Sequence, residues 1–294
     1  MPAELRPAVY PAPISSARFA SLIRRDSPEN CRVALLGMPD DTGVRLNGGR
    51  PGASEGPSAF RAALAALGSA EPAGWVWPGV FDAGDVIPAE DIHETHSRVT
   101  RAAGALLHMG LLPVGIGGGH DLTYPFVRAA ADNAGVTSGL YLDAHLDVRD
   151  SVGSGMPFRR LIEDCQLRDL RAVGIDPFVN SAEHTLYFVE RGGEAIPLGD
   201  PRCEDPQIPA GDIFVSLDLD VLGMSHAPGV SAMNPLGLWP SAVARWCEHA
   251  GRSENVRCFD IMELCPPHDE GGRTARLAAR MFLHFLRGFA ERSG

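Results

Sequence analysis

The stretch Tyr141–Asp150, YLDAHLDVRD, starts like an apolar strand and ends in three aspartates, a histidine and an arginine. Side chains on a strand alternate between faces. Asp143, His145, Asp147 and Arg149 are therefore expected on one face, with Ala144, Leu146 and Val148 on the other. Such a row of ionisable groups is costly to bury unless the groups share a compensating partner.

Two further clusters follow the same plan. GIGGGHD ends in His120 and Asp121, and FVSLDLD supplies Asp218 and Asp220, with Leu217, Leu219 and Val221 on the opposite face. Each cluster follows an apolar run of strand length. Strand patterns are read at 32–37, 112–116, 138–142, 213–217 and 256–261, with weaker ones near 80–82, 171–175 and 185–189. Helical patterns are read at 57–67, 92–109, 124–134, 240–250 and 274–292, the last with one apolar face suited to packing on a sheet. This alternation predicts an α/β fold of three layers, α/β/α, around a mainly parallel central sheet. No repeat, low-complexity block or linker divides the 294 residues, so one domain over 1–294 is expected. GGRPGASEGP, 48–57, is a stiff loop leading into a helix.

With 45% hydrophobic and 21% charged residues, the composition is that of a soluble globular chain with ample core. A net charge of −11 disfavours nucleic acid or an anionic membrane as partner. The N-terminal residues lack a signal-peptide pattern, and the most apolar stretch, 105–116, is too short to span a bilayer. Six cysteines without a C-x-x-C pair suit a reduced, cytoplasmic protein. Cys258, Cys265 and His268 lack a fourth ligand at zinc-site spacing.

Strand ends in parallel sheets gather functional groups, so the three clusters are expected to meet in one crevice. Four buried aspartates without counter-charge would be untenable, whereas two divalent cations balance them charge for charge. Residues two apart on a strand are ~7 Å apart, more than one small ion gathers easily. Two ions ~3.5–4 Å apart, with bridging carboxylates, fit better. The mixed imidazole and carboxylate set, rich in oxygen, favours manganese. Asp121, just ahead of the helix with Pro125, is expected to be a turn former or cap. His93, Glu94 and His96 miss the zinc-protease spacing and are expected on a solvent-facing helix. Neither a dinucleotide fingerprint nor a P-loop is present.

The combination GGGHD (117–121), DAHLD (143–147), SLDLD (216–220), DIMELCP (260–266) and TARLAA (274–279) resembles the ureohydrolase superfamily of arginases, agmatinases and formimidoylglutamases. GRPGASEGP (49–57) resembles that family's N-terminal loop, and the likeness runs from about residue 33 to 290, leaving residues 1–30 as an N-terminal extension. The resemblance implies that His120, Asp143, Asp147 and Asp218 bind one manganese ion. Asp143, His145, Asp218 and Asp220 would bind the other, with Asp143 and Asp218 bridging. It makes Glu263 the holder of the substrate's cationic nitrogens, and Asp147 the proton relay from an activated water.

Within the family, GGGHD, SGMPFR (154–159) and APGVSA (227–232) are most similar to formimidoylglutamase. That branch cleaves N-formimino-L-glutamate to L-glutamate and formamide in histidine degradation. Phe158 stands where arginase carries a shuttle histidine, and residues 223–226 and 233–235 depart from the family near the expected substrate entrance. Arg149 either clamps a substrate carboxylate or pairs with neighbouring Asp150; Ser154 and Ser231 are candidate substrate contacts, and Arg45 and Asn47 candidate entrance residues. Rival expectations are a urea-releasing amidinohydrolase acting on a guanidine compound and a non-catalytic metal-binding relative. The resemblance also implies a homo-oligomer, trimer or hexamer.

Overall fold

The computed structural model describes residues 4–70 and 76–292, so residues 1–3 of the expected extension lie outside it. Among the described residues, nine strands form one sheet: β1 (Leu5–Arg6), β2 (Val33–Met38), β3 (Val80–Val86), β4 (Leu112–Gly117), β5 (Ser138–Leu142), β6 (Leu170–Ile175), β7 (Glu194–Pro197), β8 (Ile213–Asp218) and β9 (Val256–Met262). Their order is β1-β3-β2-β4-β9-β8-β5-β6-β7. Only β1 runs antiparallel, against β3.

Among the described residues, eight α-helices cover the sheet: α1 (Thr42–Leu46), α2 (Gly56–Leu64), α3 (Ile92–His108), α4 (Thr123–Ala134), α5 (Pro157–Asp164), α6 (Ala182–Glu190), α7 (Pro240–Arg252) and α8 (Arg273–Phe289). One core cluster joins Phe60, Trp246, Phe282 and Phe285 of α2, α7 and α8 to Leu35, Val114, Val215 and Phe259. The other joins Val99, Phe126, Phe158 and Phe188 of α3–α6 to Leu36, Tyr141, Phe214 and Met262. Adjacent strand residues thus serve opposite cores, which is why the strands read as continuous apolar runs. The fold is three-layer α/β/α, as expected. Among the described residues, no helix is long and apolar enough to cross a membrane.

Residues 4–30 are built into this body. Leu5 pairs with Val86, and the buried Phe19 packs edge-on against Trp77 and Phe282.

Two expectations are corrected. The strand read near 185–189 is helix: Ser181 caps α6 by accepting the His184 amide at 3.1 Å. Tyr187 and Phe188 then turn into the core while Leu186 and Val189 face solvent. Strand-favouring residues yield here to the crossover that the parallel β6–β7 pair requires. The second correction concerns YLDAHLDVRD. Its strand ends at Leu142, so no pleat aligns Asp143 with Arg149. The inward placement of Ala144, Leu146 and Val148 survives, but in a loop.

β4 and β5 are consecutive parallel strands of the chain, yet β9 and β8 separate them. Four carboxyl ends, those of β4, β9, β8 and β5, therefore line up side by side. Such a crossing opens a crevice above the strand ends.

Candidate metal centre

Each cluster reaches the crevice by a local device written in its sequence. After β4, the amides of Gly118 and Gly119 donate to Met38 O and Asp40 O. A Cβ on Gly118 would stand 1.9 Å from Asp40 O, so this approach needs glycine. After β5, Asp143 accepts the His145 amide at 2.6 Å; after β8, Asp218 accepts the Asp220 amide at 2.8 Å. In both places the first aspartate turns the chain by bonding two residues ahead. The second aspartate or histidine is thereby folded back beside it.

Two groups of potential ligands result. In the first, His120 Nδ1 lies 2.9 Å from Asp147 Oδ2, 3.1 Å from Asp218 Oδ2 and 3.2 Å from Asp143 Oδ2. In the second, His145 Nδ1 lies 3.0 Å from Asp220 Oδ2 and 3.5 Å from Asp143 Oδ1. Asp143 belongs to both, one oxygen to each. Asp218 groups with His120; its Oδ1 is engaged by the Asp220 amide.

The residues fit divalent cations. Asp143 is fully buried, yet its Oδ2 satisfies no hydrogen-bond geometry. Four carboxylates and two imidazoles within this space form the mixed donor set that manganese or zinc accepts. Burial, then the charges of Asp147 and Asp220, push the Asp143 carboxyl up to about 6. Asp218 is raised well above its ordinary value, by burial and then by Asp220 and Asp143. Burial alone would lower His120, but the carboxylates of Asp143, Asp147 and Asp218 around its Nδ1 outweigh it and raise it well above its ordinary value. Burial likewise opposes the ionised form of Asp220, but the charge of His145 prevails and its carboxyl is lowered.

Behind the first group, His120 Nε2 meets Ser216 Oγ at 3.1 Å, and Ser216 donates to the buried Asp260 Oδ1 at 2.5 Å. Burial pushes the Asp260 carboxyl up to about 6. This chain orients His120 with Nδ1 toward the carboxylates. Phe158 is buried and packs edge-on below His120, 5.3 Å between rings, away from the cavity.

A cavity of about 320 Å³ opens above the two groups, reaching His120, His145, Asp147, Asp218 and Asp220. Glu263 forms one wall. Its Oε1 accepts the His120 amide at 2.8 Å and its Oε2 accepts the Ser231 hydroxyl. Burial raises its carboxyl to about 7 despite these bonds. Arg149, Ser154 and Ser231 also line the cavity. Arg149 Nη1 donates to Asn47 Oδ1 at 2.7 Å, and Asn47 Nδ2 donates to Ser154 Oγ at 3.2 Å. Of the two alternatives for Arg149, pairing with Asp150 is not the one adopted: Asp150 turns to Arg159 and Arg160.

Several expectations need correction. Asp121 does not cap a helix. Its Oδ2 pairs with His96 Nε2 at 2.8 Å in the core, because the loop after β4 presses it between α1 and α3. His96 is correspondingly buried, while His93 faces solvent and Glu94 is partly exposed. Arg45 points away to Asp41, whereas Asn47 does line the cavity. Of the segment 223–235, only Ser231 and neighbouring Ala232 reach the cavity; His226 instead packs against Trp239 with the rings tilted at 50°.

Sequence reasoning missed Arg50, Asn180 and His184, which also line the cavity. Arg50 lies in a quoted block, and its guanidinium binds Val230 O and Ser231 O, joining two loops remote in sequence. Asn180 and His184 carry no motif.

Comparison with known proteins agrees with this geometry. The Arginase family model matches residues 31–287. Formimidoylglutamase of Halobacterium salinarum is 36% identical, covering 87% of this chain and 87% of the relative. The mitochondrial guanidino acid hydrolase of Homo sapiens is 30% identical, covering 95% and 84%. A crystal structure of Trypanosoma cruzi formiminoglutamase with Mn2+ superposes with a TM-score of 0.87 at 32% identity, covering 94% of this chain and 99% of that one. A match over nearly the whole chain, on the same sheet and with both ligand groups intact, makes this protein a member of the arginase family.

Proposed function

We propose that the protein is a dimanganese hydrolase that cleaves N-formimino-L-glutamate to L-glutamate and formamide, a step of histidine degradation. The observation that carries this is the complete ligand set beneath Glu263, with the guanidinium of Arg149 at the cavity wall bonded to a neutral amide rather than a carboxylate. The similarity to formimidoylglutamases supports the same substrate.

His120, Asp143, Asp147 and Asp218 would hold one ion and Asp143, His145 and Asp220 the other, with Asp218 added to the second set by the family resemblance. Bound there, the pair would supply Lewis acidity and lower the pKa of a shared water. Glu263, ionised, holds the formimino nitrogens and offsets their positive charge in a partly dry site. Ser231 orients that carboxylate through its hydroxyl. Water adds to the formimino carbon. Asp147, partly open to the cavity, carries the released proton to the glutamate nitrogen as the C–N bond breaks. Arg149 clamps a substrate carboxylate, with Asn47 steering its guanidinium and Ser154 offering a polar contact.

The test is L-glutamate release from N-formimino-L-glutamate by the manganese-loaded protein. Manganese-dependent release without urea is expected. A loaded sample that releases no glutamate overturns the assignment. A second candidate reaction is hydrolysis of a guanidino acid, favoured by the human relative. Such a substrate would use the same Glu263 and Arg149, but it would yield urea.

The proposal extends to one domain over 1–294, with all described strands in one sheet as its support, and to a cytoplasmic homo-oligomer, trimer or hexamer. Sedimentation of the purified protein tests the last point.

A further inference from the structure

His145 stands three residues beyond the last sheet-paired position of β5, Leu142. Asp143 is still anchored, its amide donating to Val173 O at 3.1 Å. No strand pairing holds the residues on either side of His145, although the Tyr141 hydroxyl donates to Leu146 O at 3.1 Å and the Ala144 amide to Asp220 Oδ1 at 3.4 Å. A side chain from the loop after β6 bridges the two peptide groups themselves. Asn180 Nδ2 donates to Ala144 O at 2.8 Å, and Asn180 Oδ1 accepts the Leu146 amide at 2.8 Å. One carboxamide thus bridges the peptide groups flanking the histidine. Its second N–H donates to Asp176 O at 2.8 Å, tying the clamp to its own loop. Asp176 adds a backbone bond to Ala144 O at 2.9 Å.

We infer that Asn180 is the positioning residue for His145, and so governs retention of the ion in the Asp143–His145–Asp220 group without touching that ion. This rests on the two-metal reading above. The first group shares Asp143 with the second, but Asp143 is anchored to the sheet through Val173 O, and the other ligands of the first group are held away from Asn180. His120 follows β4, and Asp218 ends β8. Asp147 is held separately: its carbonyl accepts the Phe158 amide at 3.2 Å, and the Arg149 amide bonds Gly155 O at 2.8 Å. Loss of the clamp should therefore weaken one ion and spare the other. Removing an outer partner of a metal ligand typically costs 10–100-fold in affinity.

The experiment is Mn2+ titration of the metal-depleted protein by calorimetry, with the spin-coupled two-ion signal read by electron paramagnetic resonance. Wild type should take up two ions. Asn180→Ala should keep one at wild-type affinity, bind the other about 10–100-fold more weakly, and lose the coupled signal at limiting Mn2+. Asn180→Asp keeps the acceptor for Leu146 but sets a carboxylate against two carbonyls, so it should be at least as weak as alanine. It also serves as the test if the alanine variant does not fold. Wild-type affinity for both ions in either folded variant, or equal weakening of both, overturns the inference. If wild type itself takes up fewer than two ions, the two-metal reading falls and the inference falls with it. Two ions bound without glutamate release would refute the substrate assignment alone.

Discussion

The carboxylate of Glu263 and the backbone amide of His120 are joined by a 2.8 Å hydrogen bond, so one wall of the cavity is pinned to a residue of the first candidate ligand group. Glu263 holds a left-handed backbone conformation, φ +66°, which turns its side chain from the end of β9 to this contact. Glu263→Gln keeps the shape and removes the charge. We expect both ions to remain bound while kcat/KM falls about 100-fold or more, the ~2.7–4 kcal/mol lost when an oriented electrostatic group is removed. Metal analysis alongside steady-state kinetics checks both halves.

The same carboxylate sets a pH limit. Burial raises Glu263 to about 7, so it gains a proton as pH falls through that value and loses its hold on a cationic substrate. Two nearby dications can only favour the ionised form. The acid limb of the kcat/KM profile is therefore expected at or below about pH 7. It should be absent from Glu263→Gln.

Asp218→Ala is expected to abolish turnover and metal uptake in the His120 group, because Asp218 supplies both a ligand oxygen and the turn that folds Asp220 back. Chelation of wild type should abolish activity, and added Mn2+ should restore it. The melting temperature should rise with Mn2+ concentration, since an ion bound only by the folded state stabilises it by mass action. Full activity of a metal-depleted Asp218→Ala sample would sink the mechanism.

Arg149→Met should raise KM for N-formimino-L-glutamate about 10–100-fold with kcat little changed, matching the ~1.5–3 kcal/mol of a hydrogen bond to a charged group. Arg149→Lys should recover only part of this, because an ammonium cannot reproduce the two-pronged contact. An unchanged KM in the methionine variant would remove Arg149 from substrate recognition.

Far from the cavity, buried Arg61 bonds Asp82 at 2.8 and 2.9 Å and Asp85 at 2.5 Å, while Tyr10 OH donates to Asp82 at 2.6 Å. Arg61→Met leaves Asp82 without its cation in the core and Asp85 with only the exposed Arg6 at 3.4 Å. A loss of about 3–5 kcal/mol in unfolding free energy is expected, read from urea titration. The activity of the remaining folded molecules should be unaltered.

The apolar runs, their spacing and the three acidic clusters were legible in the sequence, and with them the layered parallel fold and all six candidate ligands. The reason is chemical: strands buried on both faces must be apolar, and a cation site must concentrate carboxylates and imidazoles wherever the chain goes. Glu263 was legible through its family block rather than through any pattern of its own. The helix over 182–190 was not, because Tyr187 and Phe188 suit either element and only the crossover to β7 decides between them. The role of Asp121 was hidden for a similar reason, since its partner His96 lies 25 residues away on α3.

What the tertiary structure alone decided is how the ligands are held. Asp143 and Asp218 set their own turns, a local matter that their spacing already encodes. Asn180, Asn47 and Arg50 act on loops 34, 102 and 180 residues distant, and single polar residues in loops announce no partner. Ligand identity is a property of side-chain chemistry, which the chain carries unfolded. Ligand position depends on long-range hydrogen bonds that exist only once the sheet has brought those loops together.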